Sequence, residues 1–165
     1  KRGEGIGYSG HKHQKGLKTL PIVENHGFIL APFVLASVNK HDSILIPESM
    51  ASFKIFADEI GLKIERAPIT FDSGFDGRNN KASVRSIGLV PVIYPNKRNT
   101  KNPILIAQKF RWFDRTTYKK RYVVERTFAW EDTYRRLVTS YERLRATQKG
   151  FRYLAYSLIN LRNSL

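Results

Sequence analysis

The sequence predicts an α/β fold built from layers of sheet and helix, and three observations predict it. Hydrophobic periodicity and turn residues read in order as two antiparallel strands, helix, strand, helix, strand, helix, helix. That alternation buries its apolar faces when helices pack on a sheet. At 165 residues, with 41% hydrophobic and 26% charged residues, the chain is long and apolar enough to form a core. It carries neither an internal repeat nor a low-complexity segment.

The elements follow from local chemistry. Residues Lys1 to Gly16 are Gly-rich and basic and read as a loop or edge. Leu17 to Glu24 reads as a strand, Asn25-His26-Gly27 as a turn, and Phe28 to Val38 as the returning strand of a hairpin. Pro21 and Pro32 each remove a ladder donor, which predicts edge positions or bulges. After the polar connection Asn39 to Asp42, a helix starts between Ser43 and Pro47 and stops at Gly61. Ile64 to Phe71 reads as a buried strand ending at Asp72. Asp76 reads as the cap of a helix over Gly77 to Ile87, and Leu89 to Tyr94 as a further strand closed by Pro95-Asn96. Lys97 to Thr117 is a charged connection. Tyr118 to about Arg145 reads as one long helix, and Phe151, Leu154, Ala155, Leu158, Ile159 and Leu165 as the face of a closing amphipathic helix.

Charge narrows the function classes. A net charge of +15 and a pI near 10.2 favour a polyanionic partner, nucleic acid before an anionic membrane surface. The longest apolar run, Gly27 to Val38, is too short to span a bilayer and is broken by Pro32. With no cysteine, disulfides and thiolate metal sites are excluded, and no signal-peptide pattern appears.

The charge peaks between Lys97 and Arg126, where Lys97, Arg98, Lys101, Lys109, Arg111, Arg115, Lys119, Lys120, Arg121 and Arg126 are opposed only by Asp114 and Glu125. On a continuous helix Tyr118, Arg121 and Glu125, at i, i+3 and i+7, share one face. Glu125 is then either the partner of Arg121 in a surface ion pair or an acid facing a polyanion through a metal ion. Asp72, at the carboxyl end of a strand, stands where ligands and metals collect in α/β sheets. His11 and His13 lack a third metal ligand nearby, and Asp42 reads as a helix cap. Trp112, with Phe110 and Phe113, reads first as core packing and second as a surface that stacks on an unpaired base. Phe128 and Trp130 read as core, and Gly5, Gly7 and Gly10 lack the setting of a nucleotide loop.

Tyr118-x2-Arg121-x3-Glu125, followed by Arg126-Thr127-Phe128-Ala129-Trp130 and Arg135-Arg136-Leu137, resembles the signature around the last catalytic acid of insertion-sequence DDE transposases. Asp72-Ser-Gly-Phe-Asp76 resembles the segment that carries the family's second catalytic aspartate, with Asp72 in the catalytic place. Asn39-Lys-His41-Asp42 is similar to the connection before its first helix, and Gly10-His11-Lys12-His13-Gln14-Lys15-Gly16 to its lead-in to the hairpin. The resemblance runs from about residue 5 to the end.

The resemblance implies an RNase H-like mixed sheet flanked by helices, and DNA strand cleavage and transfer at transposon ends and target. Three carboxylates would hold two Mg²⁺ (or Mn²⁺) ions, Asp72 and Glu125 serving as catalytic and metal-binding residues. Arg121 would position Glu125 or bind a phosphate. Tyr118, Lys119, Lys120, Arg126, Arg135 and Arg136 would complete the DNA-binding set. It further implies a homo-oligomer assembled on DNA and a cytoplasmic, nucleoid-associated bacterial protein with no membrane partner.

Two departures qualify this. Asp132 stands where the family places a lysine or arginine seven residues after the glutamate, and Arg135 or Arg136 is the expected replacement. The family's first catalytic aspartate lies on a strand before the hairpin, whereas no aspartate precedes Asp42. The chain begins at Lys1 and its only methionine is Met50. The expectation is a single catalytic domain over 1–165, amino-terminally truncated and lacking the first, central strand. Residues 96–117 would be a short connection or insertion before the helix carrying Glu125. The rival readings are a non-catalytic basic DNA-binding remnant of such a transposase and an unrelated RNA-binding domain.

Overall fold

The computed structural model describes residues 3–10, 13–98, 100–139 and 141–164. It is a mixed α/β structure, as the alternation of elements predicts. It divides into two compact units, Lys1–His41 with Tyr122–Leu165, and Asp42–Arg121. No helix among the described residues is long and apolar enough to cross a membrane.

In the first unit β1 (Gly7–Ser9), β2 (Gln14–Val23) and β3 (Ile29–Ser37) form an antiparallel sheet in the order β1-β2-β3. The hairpin is where the sequence puts it, and β1 forms an edge strand inside the segment read as a loop or edge. The β2–β3 register shifts between Leu20 and Ile22, the position of Pro21, so the missing donor produces the expected bulge. The hairpin turn is tied down by α5 (Tyr122–Asp132). Thr127, fully buried, donates to the Gly27 carbonyl at 2.9 Å, and Arg126 donates to the His26 carbonyl at 2.5 Å. Gly27 has φ +99°, which favours glycine, and a Cβ there would come to 3.0 Å from the Trp130 ring and press on it.

Phe33, Leu35 and Ile29 pack with Tyr156 and Ile159 of α7 (Arg145–Asn163) as the core of this unit. The buried face of α7 is Arg152, Ala155, Tyr156 and Ile159, at i, i+3, i+4 and i+7. Leu154 and Leu158, expected on that face, are 57% and 37% exposed. Arg152 belongs inside because Glu131 of α5 pairs with it there, and the Tyr156 hydroxyl donates to Glu131 at 3.3 Å. Burial, with the Glu131 charge beside it, pushes the Tyr156 hydroxyl up from its usual range, so it remains a donor. Asn160 exchanges two hydrogen bonds with the backbone of Ile29, each 2.9 Å, and closes the start of β3. α7 passes through Gly150 and begins earlier than its apolar pattern, because Glu4 accepts from the Arg145 amide at 3.1 Å and supplies the cap that Leu144 cannot.

The long helix expected from Tyr118 to Arg145 is three pieces, α4 (Arg115–Lys119), α5 and α6 (Arg135–Val138). Thr133 explains the second break, since its hydroxyl turns back to the Trp130 carbonyl at 2.7 Å and competes with the helix ladder. The first break leaves Arg121 in the turn between α4 and α5.

In the second unit β4 (Pro68–Phe71) and β5 (Val90–Ile93) pair in parallel, joined by α2 (Arg78–Ser86). α1 (Ile46–Glu59) buries Ile46, Met50, Phe53 and Ala57 at helical spacing. Pro47 lies in its first turn, and Gly61, at φ +67°, follows its end as predicted. Asp42 opens a 3-10 turn (Asp42–Leu45) that leads into α1 instead of capping it. Within the expected connection 96–117, α3 (Pro103–Phe110) is capped by Asn102, whose side chain accepts from the Ile104 amide at 2.9 Å.

Glu131→Ala should cost about 3–5 kcal/mol in urea unfolding, because it strands the Arg152 charge in the core of the first unit. Replacing both partners together with leucine and methionine should cost much less. Equal losses in the single and double variants would show that the pair itself is not the source.

Candidate active site

β4 delivers Asp72 to the carboxyl end of a parallel strand pair, with Phe71 in register with Ile93. Its extended backbone (φ −66°, ψ 163°) opens a 3-10 turn over Ser73–Phe75, closed by the Phe75 amide on the Asp72 carbonyl at 2.9 Å. The turn leaves the carboxylate 51% exposed, so it is available to ligands. The strand behind it is shorter than the run Ile64 to Phe71 suggests and only half-buried, since this sheet has two strands.

Residues far along the chain meet this carboxylate. The Arg121 guanidinium lies 2.9 Å from Asp72 Oδ1, and the Tyr118 hydroxyl donates to the same oxygen at 3.4 Å. Tyr118 is held by an aromatic cluster in which Tyr94 touches Phe110, Phe113 and Tyr118, with ring centroids 5.3, 5.5 and 5.5 Å away. α4 is started by Asp114, which accepts from the Thr117 amide at 3.0 Å and from its hydroxyl at 2.5 Å. Burial, reinforced by the Asp72 charge and opposed by Arg121, raises the Tyr118 hydroxyl from its usual range, which keeps its proton on for the Asp72 contact.

Asp76, four residues on, does a different job from the helix cap expected of it. Gly77 caps α2, and Asp76 instead accepts from the Asn96 amide at 2.7 Å and pairs with Lys81 at 2.5 Å. It thereby ties the loop after β5 to the turn that carries Asp72. Burial works against ionisation, but the Asn96 amide and Lys81 outweigh it and hold the carboxyl below its usual range. Tyr94 and Asn96 were not singled out from the sequence. The signal was an aromatic at a strand end followed by Pro95-Asn96, which reads only as strand closure until α3 and α4 are in place.

Glu125 stands exposed in the first turn of α5, where a helix N-terminus favours negative charge, and belongs to the other compact unit. Because the helix breaks at Arg121, Tyr118, Arg121 and Glu125 do not share a face of one helix. Lys119, Lys120 and Arg135 are exposed. Arg126 is engaged by the hairpin turn and stacks on Trp130 at 5.1 Å, and Arg136 pairs with Glu142 at 3.1 Å and lies 4.4 Å over Phe151. Trp112 is 85% exposed, outside the aromatic cluster, contrary to the core position expected for it, and Phe128 is 39% exposed. His11 lies outside the described residues. His13, at φ 49°, is in a turn with its Nδ1 3.2 Å from the Tyr8 hydroxyl. Asp72 and Glu125 are hard oxygen donors of the kind divalent cations take, but among the described residues no three His, Cys, Asp or Glu side chains gather to hold a metal.

Against this geometry, the family model described as transposase DDE domain matches residues 1–159. The chain belongs to that family. Membership ties it to DNA transposition, and both motifs that resemble the family's signatures fall inside the match. No curated protein and no solved structure matches it significantly.

The depressed Asp76 carboxyl makes a signed prediction. Its stabilisation is present above the ordinary value of 3.8 and is lost as pH falls through the lower folded value. Asp76→Asn should therefore lower stability at neutral pH, by about 1.5–3 kcal/mol for a charge-assisted hydrogen bond. The gap to wild type should close toward pH 2 in urea unfolding. A gap that persists unchanged at low pH would contradict the assignment.

Proposed function

We propose that this domain cleaves and joins DNA strands at transposon ends, within an RNase H-like fold, with Asp72 and Glu125 as two of the carboxylates that bind divalent metal. The observation that carries the reading is the meeting of Asp72 with Tyr118 and Arg121. Asp72 of one segment that resembles a family signature meets Tyr118 and Arg121 of the other, 46 and 49 residues along the chain. A surface ion pair drawn at random from a basic chain would have no reason to join those positions.

The metal, Mg²⁺ or Mn²⁺, supplies activation of a water or 3′-hydroxyl and charge stabilisation at the leaving oxygen. The chain's own residues prepare for it. Tyr118 and Arg121 hold the Asp72 carboxylate in a defined orientation. Arg121, partly exposed, exchanges from that carboxylate to a DNA phosphate, for which its planar fork is suited. Lys119, Lys120 and Arg135 bind backbone phosphates without reading sequence, joined by Arg126 and Arg136 where their present partners release them. The third carboxylate of such a site is not assigned to a residue of this sequence. Assembly as a homo-oligomer on paired transposon ends, and residence on the bacterial nucleoid, belong to the same reading.

The test is Mg²⁺-dependent nicking of a duplex bearing the element's terminal repeats, by the protein as its gene encodes it. Asp72→Ala and Glu125→Ala should each abolish nicking while leaving duplex binding nearly intact, and Arg121→Ala should lower it strongly. Nicking that survives in both acid variants refutes the catalytic assignment. Absence of nicking in wild type, with DNA binding retained, points to a non-catalytic remnant.

A further inference from the structure

The turn between β2 and β3 is braced from within. The Gly27 amide donates to the Glu24 carbonyl and the Glu24 amide to the Phe28 carbonyl, each at 3.0 Å. One oxygen of the Glu24 carboxylate accepts from the His26 amide at 2.6 Å and from the Phe28 amide at 3.1 Å. Its other oxygen lies 2.9 Å from the His26 Nδ1. The carbonyls of His26 and Gly27 are then taken in succession by Arg126 and Thr127 of α5, the two residues that follow Glu125.

The Thr127 bond is directional where packing alone would suffice. Thr127 is fully buried, with Val123 buried one turn before it and Trp130 half-buried after it, so this face of α5 lies against the hairpin. A valine has nearly the same shape and would need no hydrogen-bond partner there. A threonine within a helix ordinarily turns its hydroxyl to the carbonyl four residues back. Here that carbonyl, of Val123, is 3.2 Å away, and the shorter contact, 2.9 Å, is to Gly27 in another element. Apolar burial does not favour one rotation of a helix sharply over its neighbours, whereas a hydrogen bond to a fixed carbonyl does. Glu125, two residues before Thr127 and so about 200° round the axis, stands on the exposed side. At roughly 5–6 Å from that axis, its carboxylate moves about 1 Å for each ~10° that α5 turns.

We infer that Thr127 is a positioning residue: its hydrogen bond to the Gly27 carbonyl lets the Glu24-braced turn set where α5 holds the Glu125 carboxylate. The inference rests on Glu125 being a metal ligand, as proposed above, and adds the element that fixes it. A ligand carboxylate must be placed to within about 0.5 Å, and about 1 Å of misplacement costs on the order of a hundredfold in rate. Glu24, Gly27, Glu125 and Thr127 belong to one compact unit, while Asp72 and the residues that hold it belong to the other. Loss of the Thr127 hydroxyl therefore acts on Glu125 and spares Asp72.

The test separates the hydroxyl from the side-chain volume, in the protein as its gene encodes it, bound to a terminal-repeat duplex. Thr127→Val keeps the volume and removes the hydroxyl, and Thr127→Ser does the reverse. Fe²⁺ in place of Mg²⁺, with ascorbate and peroxide, reads the metal position through cuts in the protein backbone at residues 72 and 125. Thr127→Val should weaken the cut at 125 relative to that at 72 by about tenfold or more. It should also lower kcat for nicking by about ten- to a hundredfold, with KM for the duplex unchanged. Thr127→Ser should keep the wild-type ratio of cuts and most of the rate, although the cavity left by its methyl lowers the urea midpoint. Glu24→Ala, which loosens the turn from the other side, should repeat the Thr127→Val pattern. An unchanged cut ratio in Thr127→Val, or losses that follow the midpoint and not the hydroxyl, overturn the positioning role and leave Glu125 as a ligand. Wild type with no cut at 125 overturns the metal reading, and the positioning role with it.

Discussion

Carboxylates are the scarce groups in this chain, 14 against 29 lysines and arginines, and the fold depends on where each is fixed. Exposed pairs such as Lys54 with Asp58 contribute little. The acids that matter are those that hold a buried partner or a backbone amide in place. Glu131 sits under α7 with Arg152 and Tyr156, and Asp76 between Lys81 and the Asn96 amide. Glu4 and Asp114 close the starts of α7 and α4 with backbone amides. A chain with net charge +15 repels itself, and these fixed acids are the points at which that repulsion is locally reversed.

Asp72 and Asp76 show how one turn holds two carboxylates in different ways. Asp76 has a side chain 11% exposed and is held by a backbone amide that does not leave. Asp72 is 51% exposed and is held by a long, flexible arginine and a tyrosine hydroxyl. The first arrangement stores stability, and the second keeps a carboxylate oriented while its partner remains exchangeable. The aromatic cluster around Tyr94 makes that orientation specific, because it fixes the ring that carries the Tyr118 hydroxyl.

Much of this was legible in the residues. The hairpin, the bulge at Pro21, the stop at Gly61 and the strand that ends at Asp72 depend on local backbone preferences, which act over a few residues. What escaped depended on tertiary partners. Continuous helical spacing from Tyr118 onward says nothing of the turn at Arg121, which faces a carboxylate 49 positions away, or of Thr133 bonding backward. The inward face of α7 includes an arginine because Glu131 awaits it, a pairing no apolar pattern encodes. Trp112 and its phenylalanine neighbours look alike in sequence, and only the position of Tyr94 separates the half-buried rings from the exposed one. The Asp72 and Glu125 motifs stood out through their resemblance to the family's signatures, and the family match covers both segments; the contact of Asp72 with Tyr118 and Arg121 gives the first of them a spatial context.

The central claim is that Asp72 and Glu125 are metal ligands, and affinity cleavage tests it without relying on turnover. With Fe²⁺ in place of Mg²⁺ on the DNA-bound protein, hydroxyl radicals made from ascorbate and peroxide cut the backbone beside the metal. The account predicts cuts at both residue 72 and residue 125, suppressed together by excess Mg²⁺ and lost in Asp72→Asn. Cuts confined to other segments, or at only one of the two positions, would contradict it.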